Sequence, residues 1–140
     1  MQHRFSFFVS IALFFASPAM AQEFETVDGL RLTEITLART IESGRAIDPT
    51  NTFRVSDGRV WVLVRVENES GAETEIRVSF ERADRELGAS SSAGVNLEVP
   101  NRRRHRTVAR AGTRAPGRYR VVVRTASGNV LGSATYDVTT

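Results

Sequence analysis

The sequence predicts an all-β fold, an immunoglobulin-like antiparallel β-sandwich of about seven strands. Apolar and polar residues alternate over several short segments, as they do in half-buried strands. Turn-forming residues separate these segments about every 8 to 12 residues, and no segment carries apolar residues at helical spacing. A small β-barrel is the alternative architecture, because alternation alone does not decide whether a sheet closes on itself.

The chain begins with a predicted secretory signal peptide, residues 1–21. A basic start at His3 and Arg4 precedes a short apolar run and Ala19-Met20-Ala21, so we expect cleavage before Gln22. The apolar run has about half the length of a membrane span, so we expect no transmembrane segment in the mature chain. The protein is therefore expected to be secreted or periplasmic. Residues 22–29 would form a flexible N-terminal arm, and residues 30–140 a single β-sandwich domain.

Cysteine and charge content restrict the chemistry. The chain has no cysteine, so it holds no disulfide, and thiol catalysis and thiolate metal sites are excluded. All 19 basic residues are arginine. Their distribution is uneven, since residues 22–98 contain 9 arginines and 15 acidic residues, whereas residues 99–136 contain 9 arginines and no acid. The charge pattern thus singles out the C-terminal part as the basic one.

The first predicted strand runs from Leu30 to Leu37. Its apolar residues change parity between Leu32 and Ile35, which predicts a β-bulge. Residues 38–57 are rich in turn formers such as Ser43-Gly44, so we expect a long irregular connection. Long connections of this kind often carry function.

The central strand is predicted over residues 59–67. Four valines, at positions 60, 62, 64 and 66, share one face, while Trp61, Leu63 and Arg65 share the other. Residues 74–81 alternate in the same way, so a hairpin about Ser70 is predicted to pair the two segments. In that register Val64 lies opposite Ile76, and Arg65 lies opposite Glu75.

Three further strands are expected in the C-terminal half, besides a weak, arginine-rich strand at residues 103–108. Val95, Leu97 and Val99 alternate in a short strand that Pro100 ends. A second hairpin, about Ser127-Gly128, sets Tyr119 opposite Tyr136.

Recognised catalytic and metal-binding patterns are missing from the sequence. His105 is the single histidine after the signal peptide, and a lone histidine without clustered partners builds no common zinc site. Asp84 and Glu86 could face one cation, but acidic loop residues are more often simply solvated. No nucleophile elbow, phosphate-binding loop or calcium loop is present. We therefore expect a protein that is not an enzyme, with no catalytic, cofactor-binding or metal-binding residues. A hydrolase or metal enzyme with its site in residues 38–57 is the alternative.

A group of arginines is the one feature that suggests a ligand. We call Arg102, Arg103, Arg104, Arg106 and Arg110 the arginine cluster. Guanidinium groups bind phosphate and carboxylate in a bidentate manner, so the cluster is a candidate anion-binding surface for an envelope polymer or lipid. The other interpretation is that these arginines pair internally with the acids of residues 22–98. Nucleic acid is not expected as a partner, because aromatic residues are not interleaved with the arginines.

The chain also resembles a bacterial family known as domain of unknown function 2914, over about residues 33–138. The motifs that carry the resemblance are Ile35-Thr-Leu-Ala-Arg-Thr-Ile41, Gly44-Arg-Ala-Ile-Asp-Pro49, Asp57-Gly-Arg-Val-Trp-Val-Leu-Val64, Phe80-Glu81, Arg104-His-Arg-Thr107, Pro116-Gly-Arg-Tyr-Arg-Val121 and Ser127-Gly-Asn-Val-Leu-Gly132. The resemblance implies a small envelope-associated β domain and supplies no activity, ligand or catalytic residue.

The sequence therefore favours an exported, non-catalytic β-sandwich module of the bacterial envelope that works by binding. Its partner would be an unknown protein or an anionic envelope component. The sequence does not indicate an oligomeric state.

Overall fold

The computed structural model describes residues 23–84, 94–113 and 115–140. The predicted signal peptide and Glu86 lie outside these ranges. The described residues form nine strands: β1 (Leu30–Glu42), β2 (Arg45–Pro49), β3 (Thr52–Arg54), β4 (Arg59–Asn68), β5 (Thr74–Arg82), β6 (Gly94–Val99), β7 (Arg104–Gly112), β8 (Gly117–Thr125) and β9 (Val130–Thr139). A 3-10 turn, Val55–Asp57, precedes β4. None of the described residues forms a helix with the length and hydropathy of a membrane span.

The strands form two sheets that pack as a β-sandwich, which confirms the predicted fold class. The four-stranded sheet has the order β2-β1-β4-β7, and the five-stranded sheet has the order β3-β9-β8-β5-β6. Neighbouring strands are antiparallel except β3, which runs parallel to β9. In an immunoglobulin-like sandwich, strands A, B and E share one sheet while C, F and G share the other. Here β1, β4 and β7 correspond to strands A, B and E, and β5, β8 and β9 correspond to strands C, F and G.

The core lies between the two sheets, and β4 contributes a full row to it. Val60, Val62 and Val64 have no exposed surface, and Val66 is only 1% exposed. They face a row of buried apolar residues from the five-stranded sheet, which includes Ile76, Val78, Val121 and Val123. Burying a valine side chain contributes on the order of 1.5 kcal/mol or more, so this row is a main source of stability.

The predicted hairpin between residues 59–67 and 74–81 is wrong, because β4 and β5 belong to different sheets. Val64 lies between Ile35 and Thr107 instead of opposite Ile76. Arg65 pairs with Glu34 of β1, and its Nε lies 2.8 Å from Oε1 of that residue, so the predicted partner Glu75 is also wrong.

A buried asparagine explains why the chain crosses between sheets at this point. Asn68, which is 5% exposed, ends β4. Its Nδ2 donates to the carbonyl oxygens of Ala72 at 2.8 Å and Pro100 at 3.0 Å, and its Oδ1 accepts from the Ser70 amide at 3.0 Å. These bonds fix the connection as an arch. Strands of opposite sheets present their apolar faces to the same core, so alternation alone fits a hairpin and an arch equally well.

The prediction of an irregular connection over residues 38–57 is also wrong. β1 continues to Glu42, and β2 and β3 follow, which raises the strand number from about seven to the nine of the described ranges. Ser43 and Gly44 have φ values of 51° and 73°, and they form the two-residue turn that joins β1 to β2. Two successive residues with positive φ are typical of a type I′ hairpin turn. The residues of β2 are mostly exposed, so no apolar alternation marked this strand in the sequence.

The remaining strand predictions are confirmed. The register of β1 on β4 shifts between Leu32 and Glu34, where the bulge was expected. The hairpin of β8 and β9 sets Tyr119 opposite Tyr136. The short strand before Pro100 is β6, and the arginine-rich strand is β7, which extends to Gly112.

The described part of the N-terminal arm contacts the domain. Phe24 packs against the core, and its ring atom Cε1 would lie 2.6 Å from a Cβ built on Gly132. Asp28 accepts hydrogen bonds from the Thr125 hydroxyl at 2.6 Å and from the Asn129 amide at 3.0 Å. These bonds lower the pKa of the Asp28 carboxyl below its ordinary value. The flexibility expected for residues 22–29 stays a prediction.

Candidate anion-binding face

The structure divides the arginine cluster between a strand and the bend before it. Arg104, Arg106 and Arg110 alternate along β7 and point to the outer face of the four-stranded sheet, because Thr107 and Ala109 point to the core. Arg102 and Arg103 precede β7 and are exposed. Arg104 and Arg106 therefore share the outer face of β7, while Arg102 and Arg103 lie before the strand.

Two rows of charged residues cross the outer face of this sheet. In one row Glu34, Arg65 and Arg106 lie side by side on β1, β4 and β7. The next row consists of Arg31, Glu67 and Arg104. We call these six residues the charged grid. Each row contains two arginines and one glutamate, so the grid carries two positive charges in excess.

Both glutamates of the grid already have arginine partners outside the cluster. Arg65 Nε lies 2.8 Å from Glu34 Oε1, and Arg31 donates from its NH2 nitrogen to Glu67 Oε1 at 2.6 Å. Among the described residues, no carboxylate oxygen lies within 4.0 Å of a guanidinium nitrogen of the arginine cluster. The excess positive charge of the grid therefore lies on its β7 side.

The charge state of Glu67 follows from the same neighbours. The hydrogen bond from Arg31 lowers the pKa of the Glu67 carboxyl, and the positive charges of Arg31, Arg103 and Arg104 lower it further. Glu67 is thus an anion at neutral pH. Since it remains charged, it is counted as one negative charge in the row that it shares with Arg31 and Arg104.

A shallow depression of about 380 Å³ lies over the grid, and we call it the basic trough. Its lining residues are Thr33, Arg65, Val66, Glu67, Arg104, His105 and Arg106. Thr33 is the exposed residue at the β-bulge of β1, which is the irregularity that the sequence predicted. Three strands that are distant in sequence therefore build the trough together.

The turn between β1 and β2 supports one of the trough arginines. A Cβ atom built on Gly44 would lie 2.5 Å from Cζ of Arg106, so the guanidinium group rests against the bare backbone of this glycine. Since β7 is two strands away from β1, the tip of the β1–β2 hairpin must fold back across the outer face. Leu63 also points to this face, yet it is only 2% exposed.

Arg110 stands apart from the trough. Its Cζ lies 5.3 Å from the centroid of the Trp61 ring, a cation–π contact. Val108 separates it from Arg106 along the same face of β7. The five arginines of the cluster therefore do not form one continuous patch, and Arg110 belongs to the part of the face that carries Trp61.

Other arginines of the C-terminal part do pair with acids. Arg118 Nε lies 3.0 Å from Asp137, and on the five-stranded sheet Arg124 donates to Glu81 at 2.8 Å while Arg120 lies 3.7 Å from the same carboxylate. Internal pairing with an acid of residues 22–98 thus describes Arg120 and Arg124, which share Glu81, whereas Arg118 pairs with an acid of its own C-terminal part.

His105 lines the trough, but its side chain is on the core side of β7. It pairs with Val66 and is half-buried. Burial lowers the pKa of its imidazole, the charge of Arg102 lowers it further, and a hydrogen bond to the backbone of Glu98 partly opposes this. The imidazole is therefore neutral at pH 7.

Two acidic positions considered in the sequence have ordinary surroundings. Asp84 is exposed, and its expected companion Glu86 is outside the described ranges. Asp48, in the segment considered for an enzyme site, accepts from Arg39 at 3.0 Å. Within the residues described, no three histidine or acidic side chains converge in a way that could hold a metal ion.

A second depression, of about 490 Å³, opens between the sheets beside β7. It is lined by Val78, Phe80, Gly94, Val95, Arg110, Ala111, Gly112, Tyr119 and Tyr136. The rings of Tyr119 and Tyr136 stack with centroids 5.5 Å apart, and the Tyr119 hydroxyl donates to the carbonyl oxygen of Ala115 at 2.8 Å. A tyrosine near the start of strand F that bonds the preceding backbone is a tyrosine corner, a known feature of immunoglobulin-like sandwiches.

Comparison with known proteins adds information on the fold alone. No family model and no curated protein matches the chain, so the resemblance to domain of unknown function 2914 stays a hypothesis. The alkylpurine DNA glycosylase AlkC of Pseudomonas fluorescens, bound to DNA containing an abasic site analog, is similar with a TM-score of 0.55 and 12% identity over 80% of this chain and 31% of that chain. β-Glucosidase 3B of Thermotoga neapolitana, in complex with α-D-glucose, is similar with a TM-score of 0.52 and 13% identity over 79% of this chain and 16% of that chain. The chain spans less than a third of either protein.

Proposed function

We propose that this chain is an exported, non-catalytic module of the bacterial envelope that binds an anionic envelope polymer or lipid through the basic trough. The observation that carries the proposal is the charge arrangement of the grid. Its two glutamates are held by Arg31 and Arg65, and Arg104 and Arg106 have no carboxylate within 4.0 Å among the described residues. An anionic ligand would supply the charge that each row of the grid lacks.

The fold gives this surface a rigid support. Arg104 and Arg106 project from a strand that is paired along its whole length with the buried strand β4. Side chains on a packed strand lose less freedom on binding than side chains on a loop, which lowers the entropic cost of the complex. Arginine also suits this role better than lysine, because its planar fork matches phosphate and carboxylate oxygens.

The two solved structures do not change the expected partner. AlkC was solved with DNA, but the likeness is limited to the fold, and no phenylalanine, tyrosine or tryptophan lines the trough of this chain to stack on bases. The likeness to the β-glucosidase is also limited to the fold, so the glucose in that complex suggests no ligand here. The proposal therefore rests on charge, and it predicts binding that weakens as salt is added.

Heparin affinity chromatography of the exported protein tests the proposal, with heparin as a soluble model of an anionic polymer. We expect retention that falls steeply with salt and is lost in the double variant Arg104→Gln/Arg106→Gln. A matched control removes two exposed arginines far from the trough, Arg54→Gln/Arg59→Gln, and should keep most of the retention. If the parent protein, the trough variant and the control all eluted from heparin at the same salt concentration, the proposal would be contradicted, because the position of the arginines would then make no difference to binding.

A further inference from the structure

We propose that the basic trough is a subsite for a phosphomonoester group, which Arg104 and Arg106 hold between them. This inference rests on the proposed function and specifies the chemical group that the anionic ligand presents. It depends on the spacing of the two arginines, the charge of the grid and the hydrogen-bond donors that line the trough.

The spacing suits one tetrahedral anion. Arg104 and Arg106 are two residues apart on a strand and point the same way, so their Cα atoms are about 6.6 to 6.8 Å apart. Charge-assisted N–H···O bonds are about 2.7 to 2.9 Å long, so one phosphate group can accept from a guanidinium on either side. A phosphate group offers three acceptor oxygens. A carboxylate has only two, and one bidentate contact already occupies both.

The charge of the grid favours a dianion. Four arginines and two glutamates leave an excess of two positive charges on six neighbouring residues. A phosphomonoester carries about −1.5 to −2 at pH 7, which matches this excess. A sulfate ester, a carboxylate or a phosphodiester carries a single negative charge, and each would leave one row of the grid uncompensated.

The other residues of the trough position the group. Gly44 supports the guanidinium of Arg106, and the exposed Thr33 lines the opposite side of the trough. Glu67 also lines the trough, and its negative charge repels an anion. The phosphate group is therefore held toward β7, away from Glu67.

Titration of the exported protein with methyl phosphate, followed by two-dimensional NMR at constant ionic strength, tests the inference. Dimethyl phosphate and methyl sulfate are the comparison probes, since each has a similar size but a single charge. We expect saturable amide shifts at residues 104–106 with methyl phosphate. The two monoanions should bind about ten-fold more weakly or worse, the factor expected for losing one charge-assisted hydrogen bond.

Variants separate charge from geometry. Arg106→Lys keeps the charge but loses the bidentate contact, so it should weaken methyl phosphate binding about ten-fold. The control Arg54→Gln/Arg59→Gln should bind like the parent, and an otherwise unchanged amide spectrum verifies folding of each variant. Equal affinity for the three probes, or amide shifts outside the trough, would overturn the phosphomonoester subsite even if heparin retention persists. If the parent protein were not retained on heparin at all, the proposed function itself would be overturned.

Discussion

Arg65 and Arg106 lie directly opposite each other on β4 and β7, yet among the described residues only Arg65 has a carboxylate beside it, that of Glu34 at 2.8 Å. Like charges in this position lower the stability of a sheet. We therefore expect Arg106→Glu, which sets a carboxylate opposite Arg65, to raise the free energy of unfolding by about 0.2 to 1 kcal/mol. Urea unfolding measures this change, and the same variant should lose retention on heparin.

The reciprocal substitution on the next row provides the control. Arg104 lies opposite Glu67, so Arg104→Glu places two carboxylates side by side and should lower the free energy of unfolding by a similar amount. Both variants change the net charge equally, and only the cross-strand neighbour differs. Stability changes of the same sign in the two variants would contradict the register of β4 on β7.

Burial determines which positions of β4 matter most for stability. Val62 and Val64 have no exposed surface, whereas the side chain of Arg65 is 47% exposed. We expect Val62→Ala or Val64→Ala to cost roughly 1 to 3 kcal/mol because each leaves a cavity, and Arg65→Ala to cost under about 1 kcal/mol. The fluorescence of Trp61, the only tryptophan, reports unfolding in urea. Equal losses would mean that the buried face of β4 is assigned wrongly.

The faces of the strands could be predicted from the sequence, but several of their partners could not. The alternating valines of β4 identify its buried side because a strand alternates with period two whatever lies next to it. Its neighbours β1 and β7 are set by contacts that are distant in sequence, and the arch at Asn68 uses the same turn residues as a hairpin. The pairing of β8 with β9 was predictable because a short turn joins the two strands.

The candidate site, too, could be predicted from the sequence only in part. The arginines of β7 are visible in the sequence as a run, but nothing local indicates that Arg65 and Glu67 lie beside them. The bulge of β1 was predicted, yet the place of Thr33 in the trough depends on the neighbouring strands. Gly44 was noted as a turn former, and its contact with Arg106 arises only because the hairpin folds over the sheet.

The tyrosine corner gives a prediction about a single hydroxyl group. The Tyr119 hydroxyl donates to the carbonyl oxygen of Ala115 and accepts from Arg82 at 3.4 Å, while its ring stacks on Tyr136. Tyr119→Phe removes both bonds and keeps the ring, so it should lower the free energy of unfolding by about 0.5 to 1.5 kcal/mol. Tyr119→Leu removes the stacked ring as well and should cost more. A Phe variant as stable as the parent protein would show that the corner contributes nothing to stability.

Tyr136 predicts how stability changes at alkaline pH. Burial raises the pKa of its phenol above the ordinary value of 10.0, and the nearby Tyr119 raises it further. The folded state therefore holds the phenolic proton more tightly than the unfolded chain does. The full stabilisation is present below about pH 10 and is lost as pH rises from there toward the folded pKa, by at most about 1.4 kcal/mol per pH unit.

The composition makes the change of stability at alkaline pH simple to interpret. The chain has no lysine and no cysteine, whose side chains would otherwise titrate near this range, and it has only two tyrosines. Urea midpoints measured at several values between about pH 9 and 11.5 should fall in the parent protein and change much less in Tyr136→Phe. The Phe variant keeps the edge-to-face contact with Phe53 (centroids 5.7 Å apart), so its fold should persist. If the midpoints of parent and variant fell equally, Tyr136 would not be the group whose burial makes folding sensitive to alkali.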